Sequence, residues 1–292
     1  MPKRRVVTPN SGNPRIYHRQ QGTGDLDVVF IHGNLGSADW WTLVERRLPA
    51  GVRGTFLDLR GCGRSDKPEP EPGYRNYAFP ALAGDVVRLL DDLGIRDCVV
   101  AAHSTGALVA LHAISLAPDR FRGLLALDPA GPRGVDLTAS MHLFQRARND
   151  PNAAFALISS TMPTIFEPTE LESASRPEYL PSATTEQRDL IEHLAAQRHM
   201  ASDGVWFGYA RNLTREHAIC PLLNRLPEFG LPVWIVWGEK DVWIKREDME
   251  EIDRLLPRSR LIVVPGRGQS LQVEDPERFV DILTSFVTEE RL

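Results

Sequence analysis

The fold is decided by residues 99–106, Val-Val-Ala-Ala-His-Ser-Thr-Gly. An apolar, partly β-branched run stops at Ser104, and the apolar residues after Gly106 predict a helix that begins at once. Because almost no residues remain for the turn, Ser104 is predicted to occupy a sharp, strained corner between a strand and a helix. Such a corner requires small residues two positions away, and both Ala102 and Gly106 are small. The pattern indicates a nucleophile elbow, although a serine at a helix start is most often an N-cap.

The composition is that of a globular protein. The chain has 292 residues, of which 42% are hydrophobic and 25% charged. This length suits either one domain with an inserted subdomain or two domains. A net charge of -5 argues against binding to nucleic acid or to an anionic membrane, so the expected partner is a small-molecule substrate.

Three cysteines, Cys62, Cys98 and Cys220, are odd in number and widely spaced. They predict neither a disulfide framework nor a paired metal site, which favours a reducing compartment. The basic residues 1–5 precede no apolar segment of the kind found in secretory signals, and no apolar run is long enough to span a membrane. The expectation is a cytoplasmic protein.

Apolar runs alternate with amphipathic segments along most of the chain. This alternation predicts right-handed βαβ units and therefore an α/β fold with a mainly parallel, doubly wound sheet. The predicted strands cover residues 14–20, 28–31, 54–58, 99–103, 123–128, 233–237 and 260–264. The predicted helices of this core cover residues 39–48, 79–93, 105–112, 245–256 and 276–288.

The alternation breaks between residues 131 and 227, where the pattern is helical and contains no convincing buried strand. We therefore expect a helical lid, or cap subdomain, at 131–227 between two parts of one core, 1–130 and 228–292. Its helices are predicted at 137–148, 153–159 and 185–200. The aromatic residues Trp206, Phe207 and Tyr209 suggest a lid that covers a largely apolar substrate, although aromatic residues also commonly form a lid's own core.

Three loops carry a family resemblance. His32-Gly33-Asn34 follows the second predicted strand, residues 58–65 read Asp-Leu-Arg-Gly-Cys-Gly-Arg-Ser, and residues 238–241 read Gly-Glu-Lys-Asp. Together with the elbow, these motifs occur in the order found in the α/β-hydrolase fold superfamily. The chain resembles the serine-nucleophile branch of that superfamily over nearly all of its length outside the predicted lid.

The resemblance implies a role for each motif. Ser104 would be the nucleophile, and the backbone N–H groups of Asn34 and Thr105 would form the oxyanion hole. The acid of a catalytic triad would be Asp241, on the loop after the strand at 233–237, with Asp128 as the alternative. His32 and Asp58 are expected to brace their loops, and His103 to be a buried packing residue.

The expected base is missing. The family's last motif reads Gly-His-x4-Glu-x-Pro-x2-Phe, and residues 268–279 match every position except the histidine, which is replaced by Gln269. No histidine follows His217. A glutamine amide does not titrate and cannot accept the proton of Ser104. Because loss of such a histidine costs on the order of 10⁶ in rate in an unrelated serine protease, ordinary hydrolysis is predicted to be crippled.

Three explanations for Gln269 stay open. In the first, the protein is an ordinary esterase, lactonase or amidase whose histidine was replaced deliberately. Alternatively, the protein is a natural cyclase, lyase or acyltransferase that uses the same fold without activating water. The third possibility is a ligand-binding module that has lost its catalysis.

A base from the lid is another option, and the lid contains His142, His193 and His199. No phosphate loop, dinucleotide fingerprint or metal-ligand spacing is present in the sequence. We therefore expect no cofactor and no metal, and we expect no nucleic-acid or membrane partner.

Overall fold

In the described part of the chain, seven strands form one sheet in the order β1-β3-β2-β4-β5-β6-β7. The computed structural model describes residues 13–132, 134, 137, 140–168, 170–171, 176–213, 222 and 225–292. The strands are β1 (His18–Gln21), β2 (Leu26–Ile31), β3 (Val52–Leu57), β4 (Cys98–His103), β5 (Phe121–Leu127), β6 (Val233–Gly238) and β7 (Ser259–Val264). β1 pairs with β3 in the antiparallel sense and the other pairs are parallel. The predicted mainly parallel sheet is therefore confirmed.

The helices of the core and of the segment between β5 and β6 are numbered together in chain order. They are α1 (Thr42–Glu45), α2 (Phe79–Leu93), α3 (Thr105–Leu116), α4 (Met141–Asn149), α5 (Pro151–Ser159), α6 (Thr185–Gln197), α7 (Ala210–Asn212), α8 (Arg246–Leu255), α9 (Leu271–Glu274) and α10 (Pro276–Glu289).

Both faces of the sheet are covered, as the continuous apolar runs predict. Val29 and Ile31 of β2 pack into one hydrophobic cluster together with α2, α3 and α8. Val28 and Phe30 of the same strand pack into a second cluster with α1 and α10. Because side chains alternate along a strand, these two clusters lie on opposite faces, and the sheet is doubly wound as predicted.

Some predicted boundaries were wrong. The helix expected at 39–48 is a 3-10 turn at Ala38–Trp41 followed by the single turn of α1, because Ser37 caps the 3-10 turn at the N–H of Asp39. The edge strand expected at 14–20 is displaced to β1, whose register against β3 begins at His18. α2 ends at Gly94 with φ +68°, where the sequence predicts its end.

The described residues of the segment between β5 and β6 include α4, α5, α6 and α7, and an isolated β-bridge joins Phe166 and Tyr179. α5 and α6 form a third hydrophobic cluster that includes Trp40, Leu43 and Val273 of the core. The helix expected at 185–200 ends as α6 at Gln197 and continues as a 3-10 turn. Gly204–Tyr209 is a π-helix. This part of the chain is thus packed onto the core at several points.

Gly106→Ala is expected to destabilise the fold. A β-carbon at this position would lie 2.5 Å from the carbonyl oxygen of His32 and 2.8 Å from that of Ile31, and neither backbone group can move without disturbing β2. We expect a loss of about 1–3 kcal/mol in the free energy of unfolding, measured by chemical denaturation.

The matched control is Gly84→Ala in α2, where the nearest atom to an added β-carbon is Arg88 Nη1 at 4.0 Å. This change should stabilise the protein by about 0.5–1 kcal/mol, because alanine favours a helix more than glycine does. Equal stability of the two variants would show that the corner at Ser104 is not tightly packed.

Candidate active site

Ser104 has an unusual backbone conformation. Its φ is +52° and its ψ is -122°, between the end of β4 and the start of α3. A non-glycine residue in this region is strained and persists only where the surrounding structure holds it. Its N–H donates to the carbonyl oxygen of Leu127 at 2.8 Å, and its own carbonyl accepts from the N–H of Ala107 at 3.0 Å. These bonds hold the corner that the sequence predicts.

The loop after β2 approaches Ser104 closely. A β-carbon on Gly33 would lie 3.0 Å from Ser104 Cβ and 2.9 Å from His103 Nδ1. The glycine in the His32-Gly33-Asn34 motif therefore lets two loops meet at the carboxyl ends of their parallel strands. Ligand crevices in open α/β sheets form at these strand ends.

A cavity lies over Ser104. Core loops supply part of its lining, and the segment between β5 and β6 supplies the rest. The described lining residues are Asn34, Leu35, Ser104, Thr105, Ala130, Leu137, Phe144, Leu157, Thr161, Arg198, Leu213, Trp243, Ile244 and Gln269. The structure thus brings Asn34, Ser104, Thr105 and Gln269 together, while Asp128 and Asp241 lie outside the lining.

Thr105 and Asn34 can supply hydrogen-bond donors to a bound ligand. Thr105 is the first residue of α3, and backbone N–H groups in the first turn of a helix have no intrahelical acceptor. The side-chain oxygens Thr105 Oγ1 and Asn34 Oδ1 are buried without a hydrogen-bond partner among the described residues. Backbone N–H groups at the start of a helix can donate to a ligand oxygen atom that acquires negative charge.

His32 and Asp58 brace the loops around the cavity, as expected. His32 Nδ1–H donates to the carbonyl oxygen of Gly33 at 2.7 Å, and Nε2 accepts from the N–H of Leu59 at 3.0 Å. Asp58 accepts from the backbone N–H groups of Ala38 and Arg64, each at 2.7 Å. With both ring nitrogens of His32 engaged, neither residue is available for proton transfer in the cavity.

His103 is buried and packs on Trp40. Burial lowers the pKa of His103 to about 4, so the ring is neutral at pH 7. Its Nε2–H donates to the backbone carbonyl of Gln269 at 2.9 Å. The residue therefore ties the elbow to the loop that carries Gln269, a link that the sequence motif did not reveal.

Gln269 is held in place through its backbone and its neighbours. Besides the bond from His103, the N–H of Gly268 donates to Glu274 at 2.7 Å and the N–H of Ser270 donates to the carbonyl of Thr161 at 3.2 Å. The structure shows no hydrogen bond from the side-chain amide of Gln269 to Ser104 or to Asp241, both of which are described residues. The amide faces the cavity without completing a triad.

Asp241 and Asp128 form a buried pair of carboxyl groups. Asp241 Oδ1 accepts from the N–H groups of Trp243 at 2.7 Å and Ile244 at 3.1 Å. Asp128 Oδ1 accepts from the N–H of Gly238 at 2.8 Å. Oδ2 of each carboxyl accepts no hydrogen bond from other described residues, and the two side chains are close enough to hydrogen-bond to each other.

Burial changes the charge of this pair. It raises the pKa of Asp241 to about 7, and burial together with the nearby Asp241 raises the pKa of Asp128 well above its usual range. Two like charges at short range cannot both be ionised at low cost. The pair therefore holds a proton at neutral pH.

Glu274 is a third buried carboxyl, and sequence reasoning missed its role. It accepts from the N–H of Gly268, and from the N–H and Oγ1–H of Thr164 at 3.1 and 2.7 Å. Burial raises its pKa, and its charge in turn raises the pKa of Asp241. Glu274 thus joins the Gln269 loop to the segment between β5 and β6.

The histidines considered as substitute bases are not brought to Ser104 where they are described. His193 Nε2 lies 3.0 Å from Asp39 Oδ2 on the surface, and neither His193 nor His142 is among the described residues that line the cavity. The side chain of His199 lies outside the described part, as do Cys220 and His217.

The aromatic residues expected over the substrate take other positions. Trp206 and Tyr209 are fully buried in the hydrophobic core, and Tyr209 packs against Tyr77 and Phe79. Phe207 lines a different cavity. The apolar wall around Ser104 instead comes from Leu137, Phe144, Leu157 and Leu213 among others. Arg198, the one charged residue among the described lining residues, was not predicted.

The described residues contain no group of three His, Cys, Asp or Glu side chains arranged to hold a metal ion. None of the helices in the described part has the length and apolar composition that crossing a membrane requires.

Known proteins resemble this chain over most of its length. The model of a family described as "Alpha/beta hydrolase family" matches residues 28–282. A 2-(acetamidomethylene)succinate hydrolase from Mesorhizobium japonicum is 25% identical over 274 residues, 92% of this chain and 90% of that protein. The sn-1-specific diacylglycerol lipase ABHD11 of Mus musculus is 22% identical over 281 residues, 94% of this chain and 85% of that protein.

Solved structures agree with the sequence comparison. The enol-lactonase from Burkholderia xenovorans LB400 has a TM-score of 0.72 at 18% identity, covering 94% of this chain and 96% of that chain. This likeness, together with the family match, confirms the predicted α/β-hydrolase fold.

Asp128→Asn is expected to make stability less dependent on pH. A carboxyl whose folded pKa is raised binds more protons when folded than when unfolded, so it stabilises the protein at low pH, and that stability is lost as pH rises through the folded pKa. For Asp241 this window runs from about pH 4 to about pH 7. The loss can reach about 1.4 kcal/mol per pH unit for each proton.

Asparagine keeps the oxygen that accepts from Gly238 and removes the carboxyl that shares a proton with Asp241. The free energy of unfolding, measured by urea denaturation from pH 5 to pH 8, should therefore fall less in Asp128→Asn than in the unchanged protein. Asp281→Asn, an exposed change on α10, is the control and should leave the pH dependence as it is. The same fall in all three proteins would contradict a shared proton.

Proposed function

The chain belongs to the alpha/beta hydrolase family, and from this we propose that it is an enzyme whose nucleophile Ser104 attacks the carbonyl of a small ester, lactone, thioester or amide. The observation that carries the proposal is the backbone of Ser104, which is held at φ +52° at the floor of a cavity. A helix cap would not need this strain, whereas a nucleophile presented to a ligand does.

The surroundings of Ser104 support carbonyl chemistry. When Oγ attacks a carbonyl carbon, the carbonyl oxygen becomes negatively charged. In the proposed site the N–H groups of Thr105 and Asn34 donate to that oxygen, and they are fixed in place before the reaction begins. The similar hydrolase, lipase and lactonase also support a carbonyl substrate for this chain.

The segment at 131–227 acts in this proposal as a lid. Its described residues Leu137, Phe144, Leu157 and Leu213 form much of the apolar wall over Ser104. A substrate with an apolar body fits such a wall, because ligand cavities bury most of a ligand's surface against hydrophobic side chains.

Gln269 limits the reaction. Attack by Ser104 requires that its hydroxyl proton be accepted, and neither the neutral amide of Gln269 nor the described lid histidines, His142 and His193, can do this in the cavity. We therefore propose that the site binds and orients its substrate while hydrolysis is slowed by several orders of magnitude relative to a triad with histidine.

A non-hydrolytic reaction, such as a cyclisation, elimination or acyl transfer, is the second candidate. The buried carboxyl pair favours it, because an aspartate that stabilises an imidazolium must be ionised, and Asp241 has a pKa raised to about 7. A reaction that uses a neutral residue at position 269 does not require an ionised Asp241.

Gln269→His tests the proposal. Histidine at this position would accept the proton of Ser104 and donate to Asp241, which would favour the ionised carboxylate. We expect hydrolysis of 4-nitrophenyl acetate to rise by several orders of magnitude. Labelling of Ser104 by a fluorophosphonate, followed by mass spectrometry, should accelerate in parallel.

The controls separate this gain from a general loosening of the site. Gln269→Ala should show neither gain, and adding Ser104→Ala to Gln269→His should abolish both. A folded Gln269→His variant with no ester turnover and no label on Ser104 would refute an enzyme with a serine nucleophile and leave a binding module.

A further inference from the structure

Arg198 is a buried arginine in the wall of the Ser104 cavity. It begins the 3-10 turn Arg198–Met200 directly after α6, and its exposed fraction is only 6%. Among the described lining residues it is the only one that carries a charge. Arginine is rarely buried unless it is paired.

The guanidinium of Arg198 is incompletely bonded. Nη1–H donates to the carbonyl oxygen of Ala154 at 2.6 Å, and Nε–H is buried without a partner among the described residues. Neither contact supplies a negative charge. Burying a cation without a counter-charge costs several kcal/mol, so the position calls for a function.

No described carboxylate neutralises Arg198. Nearby parts of the lid contain acidic residues, but Asp203 pairs with Arg148, and Asp150 pairs with Arg146. Burial lowers the pKa of Arg198 to about 9. The side chain is therefore still a cation at neutral pH, and none of the described carboxylates is bonded to it.

We propose that Arg198 binds a carboxylate on the substrate, so that the compound recognised by this site has a carboxylate at one end and the reacting carbonyl at the other. A guanidinium is a planar fork of N–H donors that matches a carboxylate. One cation balances one negative charge, whereas a phosphate dianion would leave a charge uncompensated against the apolar wall.

This inference rests on the proposed function for the reacting end of the substrate, where Ser104 would attack. Recognition of the carboxylate end needs no chemistry and can be tested by binding alone. The two ideas can therefore fail separately.

The experiment uses two ligands that differ in one charge. Monomethyl adipate carries one ester and one carboxylate, and dimethyl adipate carries two esters on the same apolar chain. Binding is measured by isothermal titration calorimetry at pH 7 with the unchanged chain and with Ser104→Ala, which prevents turnover. The half-ester is expected to bind about 10- to 100-fold more tightly than the diester, the range of a charge-assisted hydrogen bond.

Arg198→Gln should remove this preference, while Arg198→Lys should keep part of it. Thermal denaturation verifies that Arg198→Gln is still folded. The matched control is Arg188→Gln, another lid arginine whose bonds go to the backbone carbonyls of Leu180 and Ala183, and it should retain the full preference.

Three results would overturn the proposal. They are equal affinity for the half-ester and the diester in the unchanged chain, an unchanged preference in folded Arg198→Gln, and tighter binding of methyl phosphate than of acetate. If Arg198→Gln does not fold, the half-ester and phosphate comparisons on the unchanged chain still decide. Failure of Gln269→His to hydrolyse esters would count against Ser104 as nucleophile and not against carboxylate binding by Arg198.

Discussion

The rest of the structure depends on the backbone corner at Ser104. A positive φ at a non-glycine residue is unfavourable, and here it is maintained by hydrogen bonds to Leu127 and Ala107 and by the absence of side chains at Gly33 and Gly106. β4 ends and α3 begins within one residue, and the loop after β2 packs closely against this corner. Asn34 and Thr105 thereby line the same cavity as Ser104.

Charge is distributed unevenly around this corner. Behind the cavity lining, Asp128, Asp241 and Glu274 lie close together. Burial is the largest cause that raises the pKa of each, and the charge of neighbouring acids adds to it for Asp128 and Asp241. An imidazolium at position 269 would compensate that negative charge, whereas Gln269 cannot. A proton retained by the carboxyl pair compensates part of this charge instead. The identity of the side chain at position 269 is thereby coupled to the ionisation of Asp128 and Asp241.

The sequence predicted those features that depend on local pattern. Alternating apolar runs identified the sheet, and fixed spacing within loops identified Asn34, Ser104, Thr105 and Gln269, because each follows a strand whose carboxyl end faces the same edge. The contact between Asp128 and Asp241 depends on the neighbouring positions of β5 and β6, which spacing along the chain does not reveal. Arg198 was missed because its helical segment contains many charged residues, and the sequence pattern does not show which of their side chains faces the cavity.

In the proposed function, chemistry and recognition come from different parts of the chain. The core would supply the nucleophile and the backbone donors, which lie at strand ends and cannot vary without loss of the fold. The segment between β5 and β6 supplies the apolar wall and Arg198, whose side chains can change while the sheet stays intact. A substitution at position 269 should thus alter how fast a bound carbonyl reacts, and a substitution at position 198 should alter which carbonyl compound is bound. The two properties are separable because no described bond links Arg198 to Gln269.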